Sequence, residues 1–288
     1  MDLCVIIPAR NEEQRLGAQL EALLAEQWQG EWEIIVVDNG STDATVSLVE
    51  HYAADNPRLR VISATAKADQ SYAANSGVKA TTAEAVLFCD ADDIVAPGWL
   101  AAMAAGLAEH DVVTGPNELD RLNPPWLANS RGRSIEAPIG TFAGIFPLVR
   151  GNNYGVRTSV WEKIGPLNDE FSEHGVLADV EFSLRCWLQG IEIVGIPGGV
   201  VHYRYREEAR SLWRQGWNYG SHRPLIAKML VDAGKPRPPK FSGWKSWAML
   251  VLTLPKAVTR NGRARWLWIA GNRFGQVAGS IRYRTLML

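Results

Sequence analysis

Apolar residues along the chain fall into short continuous runs separated by helix-spaced segments. Residues 3–8, LCVIIP, are β-branched and apolar and end at proline, the pattern of a buried strand. Residues 12–27 place Leu16, Leu20, Leu23 and Leu24 at helical spacing. EIIVV at 33–37 predicts a second buried strand, and DNGSTD behind it is turn chemistry. A helix carrying Val46, Leu48 and Val49 follows, with Thr42 or Asp43 as its cap. Residues 59–63 predict a third strand, 70–80 a helix and AVLFC at 85–89 a fourth strand. Strands alternating with helices in this order imply parallel pairing through crossover helices, an α/β sheet.

On such sheets ligands bind beyond the carboxyl ends of the strands. Polar residues collect there: Pro8, Arg10, Asn11 and Glu12 after the first strand, Asp38, Asn39 and Ser41 after the second, Asp90, Asp92 and Asp93 after the fourth. Three clusters on one predicted edge point to a shared site. Further on, the pattern predicts a helix near 98–109, a strand at 111–115 and an irregular Pro/Gly-rich stretch up to 150. Beyond it come a helix over 177–189 and strands at 191–197 and 200–205.

Composition narrows the class. With 288 residues, 47% of them hydrophobic and 21% charged, the chain is globular and long enough to bury a large core unaided. Cysteines at 4, 89 and 186 form neither a disulfide framework nor a metal-ligand spacing; reduced thiols and a cytoplasmic location are expected. The opening MDLCVIIPAR shows no signal peptide, and no apolar run approaches the roughly 20 residues that span a bilayer. The net charge of −1 hides an asymmetry. After Asp232 come 11 basic residues, from Lys235 to Arg284, and no acid. An acidic body followed by an anion-seeking tail is the reading.

Asp90, Asp92 and Asp93 repel one another, and a strand end concentrates that cost unless a cation joins them. A hard divalent ion such as Mg²⁺ or Mn²⁺, held by one or two carboxylates and a substrate's phosphates, fits this set. An acidic cap for the following helix is the simpler account of the same residues.

VIIPARNEE at 5–13, VVDNGSTDAT at 36–45, AANSGVKAT at 73–81 and LFCDADD at 87–93 together resemble inverting family 2 glycosyltransferases of the GT-A fold. The resemblance continues through GNNYGVR at 151–157, LADVEFSLR at 177–185 and the region of His202, covering about residues 3–220. It implies a metal-dependent transfer of sugar from a nucleotide-sugar donor, UDP-linked, to a hydroxyl acceptor. Pro8, Ala9, Arg10 and Glu12 would line the nucleotide pocket, and Asp38 would accept a hydrogen bond from uracil. Asn75, Asp90 and Ala91 would meet the donor. Asp92 would bind the metal, His202 would be a further metal contact, and Asp179 would be the catalytic base. Ala178 departs from the family's usual Glu, Ala74 stands where an Arg is frequent, and Asp69-Gln70 where Gly is common. Glu173-His174 falls in the acceptor-side loop. Tyr219, Gly220 and Arg223 lie where relatives carry acceptor-side or interface helices, a packing helix being the plainer reading.

The expected organisation is a GT-A-like catalytic domain over 1–205 and a basic, Trp-rich helical segment over 206–288, with KPRPPK at 235–240 as a hinge. Trp244, Trp247, Met249, Leu250, Leu252 and Leu254, then Trp266, Leu267, Trp268 and Ile269, are punctuated by Lys and Arg. That mixture suits docking at a membrane interface, with the enzyme peripheral on the inner face of the plasma membrane, a lipid-linked acceptor and a role in the cell envelope. A helix pair packed on the catalytic domain explains the same residues. Apolar runs argue against nucleic acid. Two other functions stay open: a sugar-nucleotide nucleotidyltransferase, whose Gly-rich opening loop is missing here, and a catalytically silent sugar-nucleotide-binding or scaffold protein.

Overall fold

The structure is a computed structural model that describes residues 1–131, 133–137, 139–169, 177–238 and 243–287. The elements in chain order are β1 (Leu3–Ala9), α1 (Leu16–Leu24), β2 (Trp32–Asp38), α2 (Thr45–Ala54), β3 (Leu59–Ser63), α3 (Gln70–Lys79) and β4 (Ala85–Cys89). Next come β5 (Ile94–Val95), α4 (Trp99–Glu109), β6 (Val112–Thr114), β7 (Asn117–Glu118) and α5 (Pro125–Ala128). Then follow β8 (Gly140–Phe142), β9 (Phe146–Leu148), β10 (Asn153–Arg157), α6 (Thr158–Ile164), α7 (Ala178–Leu188), β11 (Ile193–Gly195) and β12 (Val201–His202). The last helices are α8 (Ala209–Asp232), α9 (Trp244–Thr253) and α10 (Arg260–Arg282).

The chain divides into two units. The first comprises Met1–Leu119 and Ser134–Arg204, the second Asp120–Arg133 and Tyr205–Leu288. Segment 120–133 lies with the helical unit although it is separated from it by 71 residues of the first unit, a long-range association that no local pattern announces.

Unit 1 is built on a seven-stranded sheet in the order β11-β6-β10-β4-β1-β2-β3. β1, β2, β3 and β4 run parallel, as continuous apolar runs require when both sheet faces are covered. Cys4, Val5, Ile6 and Ile7 of β1 are completely buried, and each large apolar side chain so enclosed contributes about 1.5–3 kcal/mol of transfer free energy. Core packs on both faces of the sheet: Leu16, Leu20 and Trp99 on one, Ala73, Trp161 and Phe182 on the other. β10 enters antiparallel between β4 and β6, pairing Asn153 with Cys89. That reversal matters, because the start of β10 then lies at the edge where β4 ends. A small second sheet, β5-β12-β7, closes beside it.

The strand expected over 200–205 is only Val201–His202. Beyond it the Arg204 amide is given to the Asp93 carboxylate rather than to a ladder partner. Cys4, Cys89 and Cys186 are free and buried.

Unit 2 is dominated by α8 and α10, which run parallel with backbone in contact with backbone. A Cβ on Gly216 would sit 2.3 Å from the Trp268 carbonyl, and one on Gly220 would sit 2.0 Å from that of Asn272. Glycine is required at both, and its helix-propensity cost of about 1 kcal/mol is offset by the close approach it permits. Among the described residues no helix is long and apolar enough to cross a membrane. Of the segment read as a hinge, residues 235–238 follow α8, while Pro239 and Lys240 lie outside the described residues.

Candidate active site

Because β1, β2 and β4 are parallel, their carboxyl ends leave the sheet on one edge, with Ala9 paired to Asp38 and Ile6 to Phe88. The first two loops are stitched together by side chains. Ser41 Oγ accepts from the Asn11 amide at 3.0 Å, and Asn11 Oδ1 accepts from the Thr42 amide at 2.8 Å. Asp43 Oδ2 accepts from the Glu13 amide, and Glu13 Oε2 from the Ala44 amide at 2.8 Å. Asn11 takes φ of 57°, a region Asn tolerates. Arg10 is exposed beside it, and Glu12 holds Arg15 at 3.2 Å.

Asp38 is buried and its two carboxylate oxygens accept from the Gly40 and Ser41 amides at 3.2 and 3.0 Å. Its neighbour Asn39 donates to the Ala64 and Lys67 carbonyls and accepts from the Asp69 amide. Asp69 in turn caps α3 by accepting from the Tyr72 amide at 2.8 Å, and Gln70 Nε2 donates to Asp90 Oδ1 at 2.9 Å. Asp69 and Gln70, two of the departures from the family pattern, thus tie the start of α3 to Asn39 and to Asp90. Asn75 lies deeper: both its amide atoms bond the Leu167 backbone, at 2.8 and 2.9 Å, so it holds that segment in place.

The acidic loop is fixed from several sides. Gln19 donates to the Asp90 carbonyl at 3.3 Å and accepts from the Val95 amide. Asp93 is fully buried and accepts from Asn152 Nδ2 at 2.7 Å and from the Arg204 amide at 2.8 Å. Burial, then the charges of Asp90 and Asp92, push its carboxyl well above the usual carboxylate range. The Asp92 carbonyl accepts from Arg204 Nε at 3.0 Å, while its half-buried carboxylate makes no hydrogen bond among the described residues. Ala91 is buried within the turn.

Asp179 is the second residue of α7. It accepts from the Gly151 amide at 3.2 Å and from its neighbour Val180 at 2.9 Å. Burial raises its pKa above the ordinary value, and those backbone donors oppose the rise. The lead-in to β10 therefore holds two distant carboxylates with consecutive residues, Asp179 through Gly151 and Asp93 through Asn152. Tyr154, three residues on and buried against Phe88 at 4.5 Å between ring centres, lies within electrostatic reach of both Asp179 and Asp90.

His202 pairs across β12 with Ile94 and Glu118, and its Nδ1 lies 2.7 Å from Glu118 Oε2. A carboxylate on one ring nitrogen orients the other toward a ligand, the arrangement usual behind a metal-bound imidazole. Among the described residues no three His, Cys, Asp or Glu side chains close into a metal-holding group. An open carboxylate such as that of Asp92 is of the kind that suits a hard ion keeping most of its coordination for phosphates and water. Glu173 and His174 lie outside the described residues. The supporting roles of Gln19, Gln70, Asn152 and Arg204 were missed by sequence reasoning: Gln70 was noted only as a departure, while GNNYGVR and the strand expected over 200–205 marked the neighbourhoods of Asn152 and Arg204.

A mixed, mostly parallel sheet carrying acidic loops along one strand-end edge is an α/β architecture of the GT-A type, and the comparisons agree on the fold. The sequence profile of glycosyl transferase family 2 matches residues 4–145, and that of glycosyl transferase family group 2 matches residues 85–272. The chain belongs to glycosyl transferase family group 2, whose profile spans more than half of it, and it is a glycosyltransferase. It is 31% identical over 164 residues to the uncharacterized glycosyltransferase YibD of Escherichia coli, matching 57% of this chain and 43% of that protein. Its fold is similar to the mannosyltransferase PcManGT from Pyrobaculum calidifontis in complex with GDP-Man and Mn²⁺, with TM-score 0.65, 17% identity and coverage of 98% and 86%. It is similar also to residues 1–349 of S. aureus TarS in complex with UDP-GlcNAc, with TM-score 0.55, 19% identity and coverage of 99% and 93%.

Proposed function

We propose that unit 1 transfers a sugar from a nucleotide-sugar donor, UDP-linked, to a hydroxyl acceptor with inversion at the anomeric carbon. The observation that carries this reading is the pairing of Gly151 with Asp179 and of Asn152 with Asp93, which joins a candidate base to the acidic strand end. Pro8, Ala9, Arg10, Glu12 and Asp38 bound the nucleotide side, and Asp90 and Ala91 the donor side. Asp92 and His202 would hold a divalent cation, Mg²⁺ or Mn²⁺, which supplies Lewis-acid stabilisation of the departing diphosphate. Mn²⁺ and nucleotide sugars in the structural neighbours support both assignments.

Asp179 accepts the acceptor's hydroxyl proton as that oxygen bonds to the anomeric carbon and the bond to the diphosphate breaks. A raised pKa strengthens it as a base, since proton affinity rises with pKa. One base with direct displacement inverts the centre, whereas retention needs a nucleophile on the opposite face. Transfer assays with wild type, Asp179→Asn and Asp92→Ala test the reading. Turnover in wild type that needs divalent metal and is lost in both variants supports it. Equal turnover in all three overturns it, and none in any of them favours a silent binding protein.

The second component is peripheral attachment to an anionic membrane, with a lipid-linked acceptor at the cytoplasmic face. Trp244, Val251, Leu252, Leu254 and Val258 are between 55% and 79% exposed, on α9 and the turn after it. Lys245, Lys256, Arg260 and Arg263 flank them. Apolar side chains in water beside basic ones match the layered chemistry of a lipid interface.

A further inference from the structure

Unit 2 holds a cavity of about 200 Å³ where α8 begins beside the first two turns of α10. It is smaller than the roughly 300 Å³ at which sites for drug-sized ligands begin, so it takes one small group rather than a whole ligand of that size. Its inner wall is apolar: Leu212 of α8 and Ala264 of α10 are buried, and Trp126 and Leu267 are half-buried. Trp126 comes from α5, so segment 120–133 helps to build the wall.

Charges of both signs stand at the rim. Arg260 and Arg263 are one turn apart on the face of α10 that also carries Ala264 and Leu267, and Glu207 lies just before α8. All three are exposed. Arg263 donates to the Ala257 and Val258 carbonyls at 3.3 and 3.5 Å, which are neutral acceptors. Among the described residues the side chains of Arg260 and Glu207 make no hydrogen bond or ion pair. The carboxylate and the guanidinium groups thus line one hollow without closing on each other.

That arrangement has a chemical complement. Guanidinium forks bind phosphate oxygens two at a time, and the amino end of α10 favours an anion at the same place. A carboxylate on the other side accepts from an ammonium group, and the apolar wall takes methylenes out of water. A phosphate joined by a short chain to an ammonium, with aliphatic carbons attached, uses all three. A purely anionic headgroup would set Glu207 against like charge, and an uncharged one would leave both arginines idle. Leu254 and Val258, 55% and 79% exposed, sit on the turn that leads into Arg260, so the cavity adjoins the apolar ridge.

We infer that Trp126, Glu207, Leu212, Arg260, Arg263 and Leu267 form a site for one phospholipid headgroup of the phosphoethanolamine class, the arginines on its phosphate and Glu207 on its ammonium. The inference rests on the membrane attachment proposed above and adds a headgroup preference to it.

The test titrates the full chain calorimetrically with short-chain phosphatidylethanolamine below its micelle concentration, so that no bilayer is needed. Phosphatidylcholine and phosphatidylglycerol of the same chain length, and free phosphoethanolamine, are run beside it. Wild type is expected to bind phosphatidylethanolamine several-fold more tightly than phosphatidylcholine, whose quaternary ammonium donates no hydrogen bond, or phosphatidylglycerol, which has no ammonium. Glu207→Gln is expected to remove that preference, and Arg260→Gln with Arg263→Gln to weaken phosphatidylethanolamine and phosphatidylglycerol alike at least about tenfold. These residues are exposed, so their replacement opens no core. Val251→Glu with Leu252→Glu should leave short-chain binding unchanged, which separates failure of the ridge from failure of this site. Free phosphoethanolamine binding as tightly as the lipid would make the ligand a soluble one and overturn the lipid assignment. Binding of none of the short-chain lipids, equal binding of all three, or an undiminished preference in Glu207→Gln overturns the site.

Discussion

The Asp179 carboxylate receives the Gly151 amide at 3.2 Å, and the residue after Gly151 holds Asp93. Carboxylates 86 positions apart are therefore positioned by one dipeptide. Asp179→Asn is expected to lower kcat by about 10²–10⁴-fold with the fold intact, as loss of a general base does. Circular dichroism and steady-state rates check this together.

The same group sets a pH dependence. Burial raises the pKa of Asp179, and only its ionised form accepts a proton. Activity is expected to fall as pH drops through that raised value, so the acid limb of kcat/KM lies above the usual carboxylate range. The stability effect has the opposite sign. Ionising a group with a raised folded pKa costs stability above its unfolded pKa, and protonation restores that stability as pH falls. Melting curves followed upward in pH from the ordinary carboxylate range should show this component in wild type and lack it in Asp179→Asn. An acid limb at ordinary carboxylate pH would contradict the assignment.

Gly151→Ala probes positioning without touching the base. The added Cβ would stand 3.1 Å from Asp179 Oδ2, closer than side chains normally pack. The carboxylate must shift by tenths of an ångström, and kcat should fall about tenfold or more while donor KM stays close to wild type. An unchanged kcat would mean that the Gly151 contact does not govern the chemistry.

Much of unit 1 was legible in the sequence, for a physical reason. β1, β2 and β4 are buried on both faces, so their apolar runs are continuous, and their polar exits mark one edge. The antiparallel β10 was read only as the motif GNNYGVR, because five residues paired on both sides carry no periodicity. β5, β7 and β12 have two residues each and exist through the long-range pairs of Val201 and His202. Asp69 and Gln70 looked like departures from a pattern; their capping and bridging roles depend on contacts with Tyr72 and Asp90 that spacing does not reveal. Segment 120–133 gave no sign of belonging with α8 and α10.

The parallel α8–α10 pair makes a stability prediction. Gly220→Ala would place a methyl group 2.0 Å from the Asn272 carbonyl, against backbone that cannot rotate away. The helices must separate, at a cost of about 1–3 kcal/mol. Thermal melting should drop by roughly 2–4 °C per kcal/mol for a chain of this size. Helix propensity alone would move the melt the other way, since alanine is the better helix former. A raised melting temperature would show that the close approach is not required.

The exposed ridge of α9 predicts membrane behaviour that is separable from catalysis. Val251 and Leu252 are 74% and 71% exposed, so their replacement removes apolar contact surface without opening a core. Val251→Glu with Leu252→Glu should reduce co-sedimentation with phosphatidylserine-containing vesicles at least about tenfold, because two inserted side chains are lost and two charges repel the surface. Transfer to a water-soluble acceptor should be unchanged. Raising salt should weaken the wild type through the Lys245, Lys256, Arg260 and Arg263 contribution, yet leave a residual apolar component. Equal vesicle binding by wild type and the double variant would remove the ridge from the attachment surface, whatever the basic residues around it do.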